Sequence, residues 1–337
     1  LGPELEALEQ EVAACCRVRH AVGVASGSDA LRLALVALGV GPGDEVLTSA
    51  FSFIASGTAV LQAGARPVFV DVEPDTLNLD PRVVEAALTP RTRAIVAVHL
   101  FGLPAAMDPL AGLAASRGLL LVEDAAQAFG AEYAGRPVGG FGDAAALSFY
   151  PTKGLGAYGD AGMVLTRHPE TAQRLRRLRN HGAAEKYDHV ELGWNSRLDE
   201  LQAAILRVKL RHVRGWVEAR RRLAGAYGSR LAGLPLALPG DRPPARHVFH
   251  QYTVRTPRRD ELAKHLAASG IGTACHYPQP IPAQTALRAL GYRPEGCPEA
   301  WAASREVLSL PCFPELTAEE VETVARAIHT FFAQGAI

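Results

Sequence analysis

The chain alternates short apolar runs with longer stretches in which apolar residues recur every three or four positions. Short apolar runs are typical of buried strands, and the longer stretches are typical of amphipathic helices. The runs predict strands over residues 21–25, 45–48, 67–71, 94–100, 119–123, 144–149 and 162–166. The stretches predict helices over residues 4–16, 30–36, 53–63, 82–88, 107–117 and 170–180. This alternation predicts an α/β fold in which helices cover both faces of a mostly parallel central sheet.

The pattern changes in the second half of the chain. Residues 182–195 are polar and irregular, and they predict a link without regular structure. A long helix without proline is predicted from Arg197 onward, because apolar residues again recur every three or four positions. The basic run 220–222 is interpreted as a solvated face of that helix.

A proline-rich break at 235–244 separates the long helix from a last group of elements. These elements are predicted strands over 248–254 and 271–276 and predicted helices over 260–269 and 317–331. We therefore expect a large domain with the central sheet over residues 1–212 and a smaller C-terminal α+β domain over residues 213–337.

The composition narrows the class of protein. Hydrophobic residues make up 48% of the 337 residues, enough for a sizeable core, and 35 basic and 35 acidic residues cancel. A balanced charge argues against a partner that is nucleic acid.

The five cysteines are an odd number without a C-x-x-C spacing, so they fit neither a disulfide framework nor a metal site and suit the reducing cytoplasm. We also expect no membrane partner, since no apolar run approaches the ~20 residues that span a bilayer. The chain begins at Leu1 without an initiator Met, so we expect that residues precede it.

Several polar residues follow predicted strands, where sites in parallel sheets lie. Lys153 sits in a turn after the strand 144–149, and Asp124 ends the run 119–123. Gly27 and Ser28 open a predicted helix, whose free N–H groups favour an anion. Each feature alone has an ordinary structural interpretation, such as a surface lysine or a helix cap. Together they meet the needs of pyridoxal phosphate: a nucleophilic amine for a Schiff base, a carboxylate for the ring nitrogen and donors for the phosphate. Ser148 and Phe53 add a further phosphate donor and an aromatic face.

Seven ordered segments resemble one known family. They are VASGSDAL (24–31), GPGDEV (41–46), VHLFG (98–102), EDAAQ (123–127), the stretch 148–159, NSRLDELQAA (195–204) and HYP (276–278). On these segments the chain resembles the DegT/DnrJ/EryC1/StrS family of sugar aminotransferases, and the resemblance runs from about residue 2 to residue 328. It implies fold type I of the pyridoxal-phosphate-dependent transferases.

The resemblance also implies roles for single residues. Lys153 matches the Schiff-base lysine, Asp124 the partner of the ring nitrogen, Gln127 a residue beside the ring hydroxyl and Phe53 the stacking aromatic. The phosphate contacts match Gly27, Ser28 and Ser148.

Three further residues match positions that concern the substrate or a second subunit. Asn195 matches an asparagine that reaches the phosphate of the neighbouring subunit, which implies a homodimer with shared active sites. His181 and His276 match stretches that line the site, and for each a purely structural role is an equal alternative.

The activity implied by the resemblance is transfer of an amino group from L-glutamate to a nucleotide-linked keto-sugar. The residues around Lys153 resemble those of family members that favour a dTDP-3-keto-6-deoxyhexose as the substrate. Transfer at C4, a UDP-keto-sugar, and a non-catalytic accessory or regulatory protein are the alternatives. The sugar dehydratases of this superfamily have His in place of the lysine, so Lys153 argues against them.

The sequence departs from the family pattern at three positions. Gly154 replaces the usual Asn, Ala161 replaces a usual Gly, and Pro282 stands where a His is frequent. We expect the first two to affect only loop geometry. The third is expected near the sugar pocket, so it weakens any transfer of a relative's substrate.

Overall fold

A computed structural model describes residues 1–292 and 296–334. Its strands are β1 (His20–Val24), β2 (Glu45–Ser49), β3 (Arg66–Val70), β4 (Thr92–Val98), β5 (Leu120–Asp124), β6 (Glu132–Tyr133), β7 (Arg136–Pro137), β8 (Ala144–Ser148), β9 (Gly162–Thr166), β10 (Ala183–Glu185), β11 (Asp188–His189), β12 (Ala245–Arg246), β13 (Tyr252–Arg255) and β14 (Val307–Leu310). Its α-helices are α1 (Pro3–Cys16), α2 (Gly27–Ala37), α3 (Ala55–Gln62), α4 (Pro81–Ala86), α5 (Met107–Arg117), α6 (Pro169–Leu178), α7 (Glu200–Leu210), α8 (Val213–Leu231), α9 (Arg259–Ala268), α10 (Pro298–Glu306) and α11 (Ala318–Gln334).

Seven strands form the central sheet in the order β1-β9-β8-β5-β4-β2-β3. The pairs from β8 to β3 are parallel, and β9 runs antiparallel to both β1 and β8. The sheet buries side chains on both faces, because successive residues of a strand point to opposite sides. In β8, Ala145 and Leu147 pack in a core with α1 and α7, whereas Ala144 and Ala146 pack in a core with α2, α3 and α6. The predicted mostly parallel sheet with helices on both faces is confirmed.

A second core lies in the C-terminal part of the chain. The antiparallel pair β13–β14 packs with α8, α9 and α11 around the fully buried rings of Tyr227 and Tyr252. The first turns of α8 belong to the other side, since Val213 and Val217 pack with the residues of the central sheet. A domain boundary at 212/213 stays a prediction, and α8 is the element that joins the two cores.

Four predictions for the second half of the chain were wrong in detail. The predicted strand 271–276 is wrong, because only Ala274 bridges to β14, whose other edge pairs with β13. The helix expected from Arg197 begins later and is broken between α7 and α8, while the link before it contains the hairpin β10–β11. The basic run is not a solvated face throughout, since the Arg220 guanidinium is largely buried and donates to the carbonyl of Cys312. Helix α10 and strand β14 were not predicted.

Membrane crossing can be judged from the helices. Within residues 1–292 and 296–334, no helix is both long enough and apolar enough to span a bilayer.

Candidate active site

A cleft of about 560 Å³ opens at the carboxyl ends of β1, β5 and β8. This is the edge where ligands of open parallel sheets bind, and the volume suits a small-molecule cofactor. The C-terminal part of the chain closes the other side of the cleft. The residues that line it are Ser26, Gly27, Ser28, Leu31, Ser52, Phe53, Ala55, Val98, Asp124, Ala126, Gln127, Ser148, Tyr150, Thr152, Lys153, Asp160, His250, Gln251, His276 and Tyr277.

One end of the cleft is built around the start of α2. Ser26 caps the helix, its Oγ accepting from the amide of Asp29 at 3.1 Å. A Cβ on Gly27 would lie 2.5 Å from the Cβ of Ser148, so only glycine allows the two segments to approach this closely. The first amides of an α-helix have no partner within the helix, and its dipole favours negative charge. This end can therefore receive a phosphate, with Ser148 beside the amides.

Asp124 lies at the end of β5 and is 9% exposed. Its Oδ2 accepts from the hydroxyl of Ser56 at 2.8 Å, and its Oδ1 accepts from the amide of Ala126 at 3.3 Å. The Ser56 hydroxyl lies 3.1 Å from that of Ser52, which lines the cleft. Each carboxylate oxygen keeps a lone pair for a further donor, such as a protonated ring nitrogen. Ser56 was missed by the sequence analysis, since a serine inside a predicted helix gives no signal of a distant partner.

Behind Asp124, the fully buried Glu123 fixes the same strand. Its oxygens accept from the amides of Gly139, Phe141 and Gly142 at 2.7, 2.8 and 2.9 Å, and His99 Nε2 lies 3.1 Å away. The amide of Ala105 donates to His99 Nδ1 at 3.0 Å, so Nε2 carries the proton and donates to Glu123. Burial alone would raise the pKa of Glu123, but these donors outweigh it and hold the pKa below its usual value.

Lys153 lies in the turn that follows β8, with its amide donating to the carbonyl of Tyr150 at 2.8 Å. Burial lowers the pKa of its amine, and the negative charge of Asp124 partly opposes this shift. A lowered pKa increases the fraction of neutral amine, which is the form that attacks a carbonyl. The lysine and the carboxylate predicted from sequence thus face one cleft.

The remaining wall on the side of the central sheet holds Phe53 and Gln127. Phe53 is 53% exposed, and its ring centroid lies 6.1 Å from that of Tyr277. Gln127 accepts from the amide of Phe101 at 2.6 Å and donates to the hydroxyl of Tyr277 at 2.9 Å. Gln127 therefore has a fixed orientation, while Phe53 offers an open aromatic face.

The structure separates the last three predicted residues. His276 lines the cleft and its Nδ1 lies 2.9 Å from the hydroxyl of Ser309, while burial and then Lys153 lower its pKa. His181 and Asn195 are exposed outside the cleft of their own chain. They lie close to each other, because the amide of His181 donates to the carbonyl of Trp194.

The three departures from the family pattern are all accommodated. A Cβ on Gly154 would meet nothing within 4 Å, so no steric demand explains the glycine there. Ala161 is buried, and its carbonyl accepts from the amide of Phe149 at 2.8 Å. Pro282 is buried in a short 3₁₀ helix (Ile281–Ala283) and does not line the cleft, although it was expected near the sugar pocket.

Two of the cleft residues that the sequence analysis missed carry polar side chains on the C-terminal wall. His250 and Gln251 belong to the C-terminal wall and sit just before β13. The sequence predicted a strand over this stretch, and a strand residue carries no mark that it faces a ligand.

The residues present fit pyridoxal phosphate. A lysine amine whose pKa is lowered, a carboxylate with free lone pairs, an open aromatic face and a helix N-terminus line one cleft, and each suits one part of this group. The same set can activate a carbon next to an amine and move a proton there.

Comparisons with known proteins agree with this chemistry. Residues 1–329 match the sequence model of the DegT/DnrJ/EryC1/StrS aminotransferase family. The dTDP-3-amino-3,4,6-trideoxy-alpha-D-glucose transaminase of Streptomyces venezuelae is 52% identical over 97% of this chain and 87% of the relative. A protein of Geobacillus stearothermophilus named a pleiotropic regulatory protein is 49% identical over 98% of this chain and 90% of the relative.

Solved structures show the same similarity. The crystal structure of S. venezuelae DesV in complex with a ketimine intermediate superposes with a TM-score of 0.96 at 51% identity. The match covers 98% of this chain and 90% of that chain.

Proposed function

We propose, since the chain belongs to the DegT/DnrJ/EryC1/StrS aminotransferase family, that it transfers an amino group from L-glutamate to a nucleotide-linked keto-sugar of the dTDP-3-keto-6-deoxyhexose class. The observation that carries this proposal is the meeting of Lys153 and Asp124 in one cleft at the carboxyl ends of β5 and β8. An aminotransferase needs both groups: an amine that binds and releases the cofactor, and a carboxylate that keeps its ring electron-poor.

The cofactor is pyridoxal 5'-phosphate, and each part of it has a candidate partner in the cleft. Gly27, Ser28 and Ser148 hold the phosphate at the start of α2. Asp124 holds the proton on the ring nitrogen, Gln127 lies beside the ring hydroxyl, and Phe53 covers one face. When bound, the cofactor draws electrons from the carbon that carries the transferred amine.

Lys153 has two tasks in this proposal. Its amine would hold the cofactor, and its lowered pKa suits this task. With L-glutamate bound, the free Nζ would take the proton from the α-carbon of the donor and pass it to the cofactor carbon. In the second half of the reaction, Nζ would move a proton from that cofactor carbon to the sugar carbon that receives the amine.

We further propose a homodimer with shared active sites, in which Asn195 and His181 reach the cleft of the partner. Asn195 follows the hairpin β10–β11, where the side chains of Tyr187 and Leu192 are 85% and 93% exposed. Its neighbour Ser196 is buried and donates to Asp29 at 2.7 Å, which ties the segment to the start of α2. Exposed apolar side chains beside a polar residue aimed outward suit a surface that a second copy covers.

The nucleotide and the carbon have alternatives among the relatives. A UDP-N-acetyl-3-dehydro-alpha-D-glucosamine 3-aminotransferase of Acidithiobacillus ferrooxidans is 48% identical, so a UDP-keto-sugar is the second candidate. Transfer at C4 remains a third. The name of the Geobacillus relative also raises a regulatory role without catalysis. The buried Lys153 and the positioned Asp124 favour the enzyme, because a regulator needs neither.

The first test is the visible absorption spectrum of the protein loaded with pyridoxal phosphate, before and after addition of L-glutamate. We expect the band of the lysine-bound cofactor to appear and then to be bleached by the amino donor, and a dTDP-3-keto-6-deoxyhexose to restore it. A band that L-glutamate leaves unchanged contradicts amine transfer. Restoration by a UDP-keto-sugar alone selects the second candidate.

A further inference from the structure

Two adjacent polar side chains in the cleft wall have buried atoms without a partner. Among the described residues, neither Nδ1 of His250 nor Oε1 of Gln251 finds a hydrogen bond, although both atoms are shielded from solvent. Both residues line the cleft. A buried polar atom without a partner destabilises the ligand-free protein, so such atoms in a binding cleft indicate where a ligand supplies the missing bonds.

The backbone fixes both residues next to the cofactor end of the cleft. The amide of Val248 donates to the carbonyl of Gly102 at 3.0 Å, and the amide of Gln251 donates to that of Phe101 at 3.3 Å. The amide of Phe101 in turn donates to Gln127 at 2.6 Å. Phe101 is therefore hydrogen-bonded to both Gln251 and Gln127, which lie on opposite walls of the cleft. The ring of His250 also borders a small void shared with Gly154, the neighbour of Lys153.

A hydroxyl group is the ligand group that best satisfies the two unpaired atoms. A hydroxyl both donates and accepts, so one such group satisfies both atoms: it accepts from Nδ1–H of a neutral imidazole and donates its own proton to Oε1 of Gln251. A carboxylate only accepts, so it cannot satisfy Oε1 of Gln251. Lys153 is the sole lysine or arginine among the lining residues that the structure describes, so this wall does not attract the carboxylates of L-glutamate.

We propose that His250 and Gln251 together bind one ring hydroxyl of the sugar, on a carbon next to the reacting carbonyl, and so determine which keto-sugars the enzyme accepts. The inference rests on the proposed function, because it concerns the second half of the same reaction. Burial, followed by the nearby positive charges of Lys153 and Arg220, holds the pKa of His250 well below its usual value, which agrees with a neutral ring that shares a hydroxyl.

The test combines substrate analogues with variants. The probes are dTDP-3-amino-3,6-dideoxy-D-glucose and its 2-deoxy and 4-deoxy analogues, each of which converts the lysine-bound cofactor to its amine form and bleaches the absorption band. The variants are Gln251→Leu, His250→Phe and His250→Asn, the last of which keeps a polar atom near the position of Nδ1. Gln173→Leu, an exposed position on α6, is the matched control. Calorimetry with the cofactor-free enzyme gives the affinities of the same probes.

We expect wild type to disfavour one of the two deoxy probes about 10²-fold, because a site that binds a hydroxyl is left unpaired by the analogue that lacks it. Gln251→Leu and His250→Phe should erase this preference, and His250→Asn should restore part of it. Bleaching by L-glutamate should fall by much less than bleaching by the preferred amino sugar in Gln251→Leu and His250→Phe.

Two results overturn the inference while the proposed function survives: a wild type that reacts equally with all three probes, or a preference that persists in both Gln251→Leu and His250→Phe. A fall in the L-glutamate step that matches the fall in the sugar step also overturns it, since the pair would then serve the cofactor. A wild type that is bleached by L-glutamate but by none of the three amino sugars contradicts the proposed sugar class and takes this inference with it.

Discussion

The two walls of the cleft differ in how their polar groups are satisfied. On the wall formed by the central sheet, Asp124, Gln127 and Glu123 each have two or more hydrogen-bond partners within the chain. On the wall formed by the C-terminal part, His250 and Gln251 each leave a buried polar atom unpaired. The cavity is lined by Asp124, Gln127, His250 and Gln251, with Glu123 behind it, so a place in the cavity wall does not by itself explain the difference.

The difference separates groups that serve the cofactor from groups that serve the substrate. A group whose orientation must stay constant through every turnover gains from permanent partners, because they hold its geometry before the reaction begins. A group that binds a ligand only transiently needs a hydrogen-bond donor or acceptor that is unpaired in the free protein. That unpaired atom destabilises the ligand-free protein. On the C-terminal wall, His276 and Tyr277 also have partners, so the contrast lies with His250 and Gln251, each of which keeps one unpaired atom.

The largest effect is expected from Lys153→Ala, which removes the nucleophile from the wall formed by the central sheet. The half reaction with L-glutamate should fall by at least about 10⁴-fold, since both cofactor attachment and proton transfer use the same Nζ. Single-turnover formation of 2-oxoglutarate from L-glutamate measures it, and Lys264→Ala, an exposed position on α9, is the control. A Lys153→Ala protein that still turns over refutes the role of this residue.

Asp124→Asn should slow the same half reaction about 10³-fold while leaving the fold intact. The amide keeps the size of the carboxylate and can still accept from Ser56, but it lacks the charge that opposes a protonated ring nitrogen. Rates with L-glutamate measure the effect, with Asp108→Asn, exposed on α5, as the control. Equal rates for Asp124→Asn and wild type mean that Asp124 is only a structural residue.

The first half of the chain could be predicted from sequence because its signals are local. Apolar runs of four to seven residues marked each strand of the sheet, and in the helices between them apolar residues recur every three or four positions. The predicted strand 271–276 was wrong because a strand also needs a partner along its length, and here only Ala274 bridges to β14.

The site residues likewise divide into those with a local sequence signal and those without one. Lys153, Asp124 and Gly27 follow strands or open a helix, so the topology of a parallel sheet predicts that they meet. Ser56 reaches Asp124 by a tertiary contact from inside α3, and Gln251 lines the cleft next to β13. Their sequence neighbours are ordinary for a helix and a strand, so nothing in the sequence marked them.

Glu123→Gln should lower the free energy of unfolding by about 3 kcal/mol, because an amide presents donors to backbone amides that need an acceptor. Urea denaturation of the cofactor-free enzyme measures it. The control is Glu85→Gln, whose exposed pair with Arg117 should contribute no more than about 0.5 kcal/mol. Equal losses at the two positions contradict the view that the sheet wall is held by its buried bonds.

The pH dependence sharpens this prediction. The pKa of Glu123 is lowered in the folded state, so its carboxylate stabilises the fold above the ordinary pKa of glutamate. That contribution is lost as the pH falls through the lowered value. The stability difference between wild type and Glu123→Gln should therefore be full at pH 7 and shrink in acid, and a difference that is constant with pH contradicts the assignment.

The smallest effect compares the same substitution on the two walls. Gln127→Leu leaves the amide of Phe101 and the hydroxyl of Tyr277 unpaired, so it should destabilise the cofactor-free enzyme by about 2 kcal/mol. Gln251→Leu removes an acceptor that had no partner, so the free energy of unfolding should stay equal or rise by about 1 kcal/mol. Urea denaturation of both variants, with Gln173→Leu as the exposed reference, measures the two changes side by side. Equal destabilisation at Gln127 and Gln251 means that Gln251 is hydrogen-bonded in solution. The contrast between a bonded Gln127 and an unpaired Gln251 in the ligand-free protein then fails.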